Sequence, residues 1–230
     1  RRSKFTVSME HIGWSDAELK DLWENNPDTL VLEELLYTAT LMEDNESKLA
    51  IYKKATVVSP KCLRAHNNKG VVLYEMGKTD AAEAAFKDAK ALKDHDIINN
   101  NLGAIALKKG ETAAAKEAFT ASLGAGDKVN YNLGIVNIIE GNYGAAVNYF
   151  GSEASYNAAL AKYLNGDDNA AWRDLSNIEM VGGMGYYMRA VVAASQDKSE
   201  VALENLKLAV ENCGDPNWIK GRAAKDLEFA

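Results

Sequence analysis

This chain of 230 residues contains few prolines and few cysteines, three and two respectively. Positive side chains are outnumbered by negative ones, with 26 Lys and Arg against 33 Asp and Glu. The net charge of −7 leaves no basic stripe to neutralise phosphates, so nucleic acid is not an expected partner. No apolar run reaches the length of a transmembrane helix, so we expect no direct membrane insertion of this segment. The scarcity of proline and the abundance of helix-forming residues favour helices.

Groups that commonly carry chemistry are equally sparse. Cys62 and Cys213 fall several predicted helix pairs apart, so both are expected to be free thiols. The histidines, His11, His66 and His95, lie in different predicted elements. No Ser-His-Asp order, phosphate-binding loop or dinucleotide fingerprint occurs. We therefore expect no enzymatic activity, no metal site and no cofactor.

What the chain does contain is a pattern of small residues that recurs at a nearly constant spacing. Two glycines seven residues apart are followed by an alanine and a phenylalanine in three successive units: Gly70, Gly77, Ala82 and Phe86; Gly103, Gly110, Ala115 and Phe119; Gly134, Gly141, Ala146 and Phe150. The pattern continues with larger residues through Ala159, Gly166, Ala171 and Leu175, and through Ala190, Asp197, Ala202 and Leu206. It predicts stacked helix pairs, in which small residues let the helices approach and phenylalanine fills the space between them.

Helical periodicity divides residues 15–230 into six helix pairs with a single helix at each end. The first single helix, Asp16–Asn25, opens on a capping box of Ser15 and Glu18, and the last spans residues 218–229. Gly151 is expected to end a helix directly after Phe150, which shortens one repeat. Residues 1–14 are predicted to be an extended tail or the end of a preceding β-rich domain, because residues 5–9 alternate apolar and polar.

This pattern resembles that of the tetratricopeptide repeat (TPR) family. Residues 63–96 carry the resemblance most clearly, through Gly70, Gly77, Ala82, Phe86 and Ala89, and it extends in phase over residues 29–214. It implies an all-α fold, a right-handed superhelical solenoid of antiparallel helix pairs. Proteins of this kind usually act as interaction scaffolds, so the resemblance implies a protein or peptide partner.

A narrower resemblance concerns residues 31–41 and 222–229, which look similar to TPR-containing cell-envelope proteins of Gram-negative anaerobes. In those proteins the repeats follow β-rich segments. The resemblance implies a periplasmic or outer-membrane-associated location, with the cytoplasm as the alternative. Because the chain opens at Arg1 without a start methionine, we expect it to be part of something longer.

In TPR proteins the first helices of the pairs line the concave face, and one position on that face carries asparagine in four consecutive repeats of this chain: Asn68, Asn101, Asn132 and Asn157. An amide donates and accepts at once, so such a row can hold the backbone of an extended peptide whatever its side chains. The alternative is that each asparagine bonds only the neighbouring helix.

Tyrosines occur beside this row and on the same helical faces: Tyr74, Tyr131, Tyr156, Tyr163 and Tyr187. Tyrosine offers a large contact area with few rotors to freeze, which suits an interface, although each ring can equally pack between repeats. The resulting hypothesis is a scaffold that binds a peptide or partner protein along a groove of asparagines and tyrosines. The alternatives are a structural spacer between the flanking domains of a larger envelope protein, and a binder of glycans or other small molecules.

Overall fold

The computed structural model describes residues 13–178 and 182–229, and every regular element in these ranges is a helix. The all-α fold class is therefore confirmed for the described part of the chain. The predicted strand at residues 5–9 lies outside it, as does most of the predicted segment 1–14, so the proposed boundary at residue 15 stays a prediction.

Fourteen α-helices follow one another through the described residues. They are α1 (Asp16–Asn25), α2 (Leu32–Leu41), α3 (Asn45–Val58), α4 (Leu63–Glu75), α5 (Thr79–Leu92), α6 (Asp96–Lys108), α7 (Thr112–Thr120), α8 (Asp127–Ile139), α9 (Tyr143–Phe150), α10 (Tyr156–Leu164), α11 (Asp168–Asn177), α12 (Gly183–Ser195), α13 (Ser199–Glu211) and α14 (Pro216–Ala223). Short 3₁₀ turns occur at Pro27–Thr29, Leu123–Ala125 and Leu227–Phe229.

The chain forms two compact units, one extending to Ile105 and the other beginning at Ala106. In the first unit, α2 packs on α3, α3 on α4, and α4 on α5, around one core that includes Leu35, Ile51 and Phe86. In the second unit the packed pairs are α8 with α9, α10 with α11, and α12 with α13. Smaller apolar clusters, including those around Phe150 and Tyr187, fill the space between these helices.

The turn between the two helices of a pair has the same geometry in successive repeats. Gly77, Gly110, Gly141 and Gly166 adopt positive φ angles between 73° and 85°, and Asp197 adopts 57° at the equivalent position. At each turn the next residue donates its backbone N–H to a carbonyl five residues earlier, as Lys78 does to Leu73 at 2.9 Å. This is the Schellman helix end, in which a left-handed residue favours glycine. The predicted phase of the repeat is confirmed at these five positions.

Close approach inside each unit depends on glycine in the first helix of a pair. A Cβ atom added to Gly70 would lie 2.6 Å from the Phe86 ring, and one added to Gly134 would lie 2.6 Å from the Phe150 ring. Both phenylalanines are buried, at 2% and 4% exposure. The aromatic ring therefore fills the space that the missing side chain leaves, as the sequence pattern predicts.

Several helix boundaries differ by three residues or more from those predicted, which include helix starts at Thr29, Asn130 and Tyr186. Helix α2 begins at Leu32, because a 3₁₀ turn occupies residues 27–29. Helix α12 begins at Gly183 within a glycine-rich stretch that reads as a loop. The predicted single helix over residues 218–229 is wrong: α14 ends at Ala223, and a separate 3₁₀ turn covers Leu227–Phe229.

Candidate functional site

The asparagines of the first unit form a connected group, which we call the amide cluster (Asn67, Asn68 and Asn101). Asn101 on α6 donates from Nδ2 to Oδ1 of Asn67 on α4 at 2.9 Å. Asn67 in turn donates to Oδ1 of Asn68 at 3.2 Å. A further hydrogen bond joins Asn68 to Tyr52. Burial raises the pKa of Tyr52, whereas this hydrogen bond acts to lower it. The cluster links the first helices of two neighbouring pairs.

A groove of about 280 Å³ lies beside the amide cluster. Its lining residues are Leu63, Arg64, Asn67, Asn68, His95, Ile97 and Ile98. Ile97 is 50% exposed, whereas Ile98 is buried. The Arg64 guanidinium forms an ion pair with Glu33. The groove thus combines an exposed aliphatic surface with amide donors and acceptors.

Asn68 also lines a second cavity of about 380 Å³, together with Tyr52, Lys48 and Glu75. Tyr74 is half-buried and packs against the core of the first unit. Of the predicted site residues in this unit, the structure therefore joins Asn68 and Asn101 through Asn67. The bridging role of Asn67 was missed, because a bond between α4 and α6 leaves no local sequence pattern.

In the second unit, an asparagine and a tyrosine from successive first helices are bonded. Asn157 on α10 donates from Nδ2 to the Tyr131 hydroxyl on α8 at 2.9 Å. The Tyr131 ring meets Phe150 edge to face, with centroids 5.3 Å apart. Asn132 follows Tyr131 on α8 and is half-buried. This contact fixes the orientation of a half-exposed polar pair on the first-helix side of the unit.

Three of the predicted tyrosines, Tyr156, Tyr163 and Tyr187, come together farther along the second unit, and we call them the tyrosine face. They line a cleft of about 580 Å³ that also receives Leu160, Met188 and Val191. Tyr156 and Tyr163 lie on α10 and are half-buried, whereas Tyr187 on α12 is only 2% exposed. The other side of the cleft includes Arg222, Lys225, Asp226 and Glu228.

The residues that follow α14 contact the tyrosine face directly. The Tyr163 hydroxyl donates to Oε1 of Glu228 at 2.7 Å, and the Tyr187 hydroxyl donates to Oδ2 of Asp226 at 2.8 Å. Phe229 meets the Tyr187 ring edge to face at 6.0 Å. Arg222 lies with its guanidinium 5.3 Å from the centroid of the same ring. None of these four partners was identified from the sequence, which predicts one uninterrupted helix there.

These surroundings perturb the ionisation of all three tyrosines. Burial is the main cause in each case and raises each pKa, for Tyr187 to about 12. For Tyr163 and Tyr187, the hydrogen bonds to Glu228 and Asp226 and the negative charges of those residues raise the pKa further. Arg222 opposes the effect at Tyr156 and Tyr187. The three hydroxyls therefore keep their protons to higher pH than an ordinary tyrosine, and those of Tyr163 and Tyr187 donate to carboxylates.

Within residues 13–178 and 182–229, no three His, Cys, Asp or Glu side chains are grouped so that they could hold a metal ion. None of the helices described there has the length and apolar character needed to cross a membrane. Both cysteines are free and half-buried, as expected.

Comparison with known proteins identifies the repeat. Residues 44–97 match the sequence model of the tetratricopeptide repeat. No curated protein matches the chain. A tetratricopeptide repeat protein from Parabacteroides merdae is 17% identical, with a TM-score of 0.66 over 90% of this chain and 88% of that one.

Two further solved structures have the same fold. One chain of the APC/C hetero-tetramer Cut9–Hcn1 is 15% identical, with a TM-score of 0.73 over 93% of this chain; the match covers only 43% of that chain. PilW, a type IV pilus biogenesis factor, is 16% identical, with a TM-score of 0.51 over 93% of this chain and 86% of its own. At these identities the similarity concerns the fold alone. Residues 44–97 therefore carry a tetratricopeptide repeat, and the described helices adopt the fold of tetratricopeptide repeat proteins.

Proposed function

We propose that the chain binds an extended segment of a partner protein along the polar side chains of its first helices. Tetratricopeptide repeats generally mediate protein–protein interaction, which makes this the expected class of function. The observation that carries the proposal is the amide cluster, whose side chains are already held by one another beside the exposed Ile97. A partner backbone would meet groups that need little further ordering.

The hydrogen-bonding capacity of the amide cluster supports a peptide ligand. An asparagine side chain has two N–H donors and an oxygen with two lone pairs, and the Asn101–Asn67 bond uses only one donor of Asn101. An extended segment carries unpaired backbone N–H and C=O groups that match such amides. Ile97 and Leu63, which line the same groove, offer apolar contacts for its side chains.

The polar groups of the second unit support the same proposal. The Tyr131 hydroxyl accepts from Asn157, so its own proton is available to a ligand. Tyr156 and Tyr163 add half-buried rings on the next first helix, where a partner gains contact area at low entropic cost. We include the predicted Asn132 and Tyr74 in the proposed surface as positions to be tested.

The alternative functions, a structural spacer and a binder of glycans, are distinguished by what, if anything, this surface binds. A spacer needs no ligand, whereas a binder of glycans would use the tyrosines without the amide cluster.

We propose the cell envelope as the location, because residues 31–41 and 222–229 resemble those of TPR-containing cell-envelope proteins. The cytoplasm is the alternative. Immunoblotting of fractionated host cells tests the location independently of binding.

Binding is tested with a library of random peptides displayed on phage and selected on the full chain. The selected peptides are then titrated against an Asn67→Ala/Asn101→Ala variant. Loss of the amides is expected to raise the Kd by at least about tenfold, since each hydrogen bond to the ligand contributes roughly 0.5–1.5 kcal/mol.

Asn148→Ala is the matched control, because Asn148 is exposed on α9, the second helix of its pair. Its Kd should equal that of the unaltered chain. If no peptide is selected, or if the double variant binds as tightly as the control, the proposal fails and the spacer is favoured.

A further inference from the structure

The segment that follows α14 contacts the tyrosine face as a bound peptide would. Between residues 226 and 229 it places two carboxylates and one aromatic ring against α10 and α12. Asp226 accepts from Tyr187, Glu228 accepts from Tyr163, and Phe229 packs on the Tyr187 ring. Each anchor of the segment thus meets a residue that belongs to the first helix of a pair.

The chemistry of this contact is selective for acidic groups. A phenolic O–H that donates to a carboxylate forms a charge-assisted hydrogen bond, which is stronger than a bond between neutral groups. The cations Arg222 and Lys225 line the same cleft and add a favourable field for an incoming anion. Leu160, Met188 and Val191 supply the apolar wall beside them. The surface therefore suits a short segment that combines acidic and aromatic side chains.

The segment itself is held by few interactions. Its only regular element is the 3₁₀ turn Leu227–Phe229, while Ile219 anchors the preceding helix α14 in the core at 1% exposure. Glu228 is exposed despite its bond to Tyr163. Asp226 and Phe229 are only half-buried, so this segment can leave the surface while α14 stays packed.

We propose that Tyr163 and Tyr187 form a recognition site for an acidic, aromatic segment of a partner protein, and that residues 226–229 of this chain occupy the site until such a partner displaces them. The inference rests on the proposed function, because it assigns a partner chemistry to the tyrosine part of the same surface. The tethered segment competes at an effective concentration on the order of millimolar, so it weakens the apparent affinity for a partner.

The test uses a fluorescent peptide with the sequence of residues 222–230 and the full 230-residue chain. An Asp226→Asn/Glu228→Gln variant removes the two charges that hold the segment and leaves the tyrosines unchanged. This variant is expected to bind the peptide at least about tenfold more tightly than the unaltered chain, because its site is vacated more often. Adding Tyr163→Phe and Tyr187→Phe to the variant should abolish that gain while keeping both rings.

The matched control, Glu204→Gln/Glu211→Gln, removes two exposed charges from α13 and should bind the peptide like the unaltered chain. A peptide in which asparagine and glutamine replace the acidic pair should bind the opened variant at least about tenfold more weakly. Circular dichroism melts check that every variant is folded.

Equal affinity of the peptide for the unaltered chain and the opened variant, or no binding to either, overturns the inference. Light scattering that shows a dimer dissociated by the peptide also overturns it, because the segment would then come from a second copy. Phage-selected peptides that depend on Asn67 and Asn101 are unaffected by these results. The proposed function therefore stands or fails separately.

Discussion

At the residue scale, glycine in the first helix of a pair and phenylalanine in the second determine how closely the two helices pack. The Gly134 backbone lies where any side chain would meet the Phe150 ring. Gly183 has a similar role, since an added Cβ would lie 2.5 Å from the Cys213 Cβ and 2.6 Å from the Ala209 carbonyl oxygen. At these positions the close contact with the neighbouring helix requires glycine, although glycine has a low helix propensity.

We predict that Gly134→Ala destabilises the protein by about 1–2 kcal/mol, because overpacking against Phe150 outweighs the gain in helix propensity. Gly221→Ala is the control: an added Cβ meets nothing within 4 Å in α14, so it should stabilise by up to about 1 kcal/mol. Urea unfolding followed by circular dichroism measures both. A neutral or stabilising Gly134→Ala would show that the close approach is not required.

Tyr187 makes the stability of the protein depend on alkaline pH. Its pKa is raised to about 12 by burial and by Asp226, whereas an unfolded tyrosine ionises near 10. Because the folded state holds the proton more tightly, this contribution is fully present below about pH 10 and is lost as the pH rises through 12. We predict that the unfolding free energy of the chain, relative to Tyr187→Phe, falls by on the order of 2 kcal/mol across that range.

The measurement is urea unfolding of both proteins at a series of alkaline pH values. Taking the difference between them cancels the ionisation of the other tyrosines. A difference that stays constant across this range would mean that the hydroxyl of Tyr187 is not protected by its surroundings.

At the element scale, a helix end could be predicted where residues next to it in the sequence determine it. It could not be predicted where a contact with a distant part of the chain determines it. The capping box of Ser15 and Glu18 marks the start of α1, and Gly151, with a φ of 59°, ends α9 directly after Phe150. The start of α12 was predicted three residues too late, because Gly182, Gly183 and Gly185 have the composition of a turn. Their backbone is ordered at the end of α13, since Gly183 donates its N–H to the carbonyl oxygen of Asn212, the residue after that helix, at 2.9 Å.

Helices α10 and α11 are joined by a buried ion pair between Lys162 and Asp174, whose side chains are 12% and 8% exposed. We predict that Lys162→Met lowers the free energy of unfolding by about 3–5 kcal/mol, because the Asp174 carboxylate then stays buried without its partner. The double variant Lys162→Met/Asp174→Leu should recover most of that loss.

Thermal and urea unfolding of these variants measure the effect. Lys87→Met is the matched control, because Lys87 pairs with Glu83 on the surface of α5 and should contribute no more than about 1 kcal/mol. Equal losses from Lys162→Met and Lys87→Met would contradict a special role for the buried pair.

At the scale of the whole molecule, the repeat could be predicted, whereas the contacts of the candidate site could not. The recurrence of Gly77, Gly110, Gly141 and Gly166 is visible in the sequence because the turn between the two helices has the same positive-φ geometry in each of these repeats. The bond between Tyr163 and Glu228 joins residues 65 positions apart and follows from how the chain returns after α14. No local pattern encodes such a contact, so the sequence places Asp226 and Glu228 within one predicted helix over residues 218–229.

The two compact units predict that a substitution in one unit has a local effect on stability. In a repeat array, stability is approximately a sum over repeats and their nearest neighbours. We therefore predict that Gly134→Ala accelerates backbone hydrogen exchange in α8, α9 and α10, and leaves α2, α3 and α4 unchanged. Exchange read out by mass spectrometry tests this, and uniform acceleration across all helices would contradict it.

The most direct test of the central claim is to observe the asparagine side chains while a selected peptide binds. In a nitrogen NMR spectrum of the labelled chain, the side-chain amide signals of Asn67, Asn68 and Asn101 are predicted to shift as peptide is added. The signal of Asn148, on a second helix, is predicted to stay in place. If the peptide saturates the chain and these three signals do not move, the amide cluster is not the binding surface.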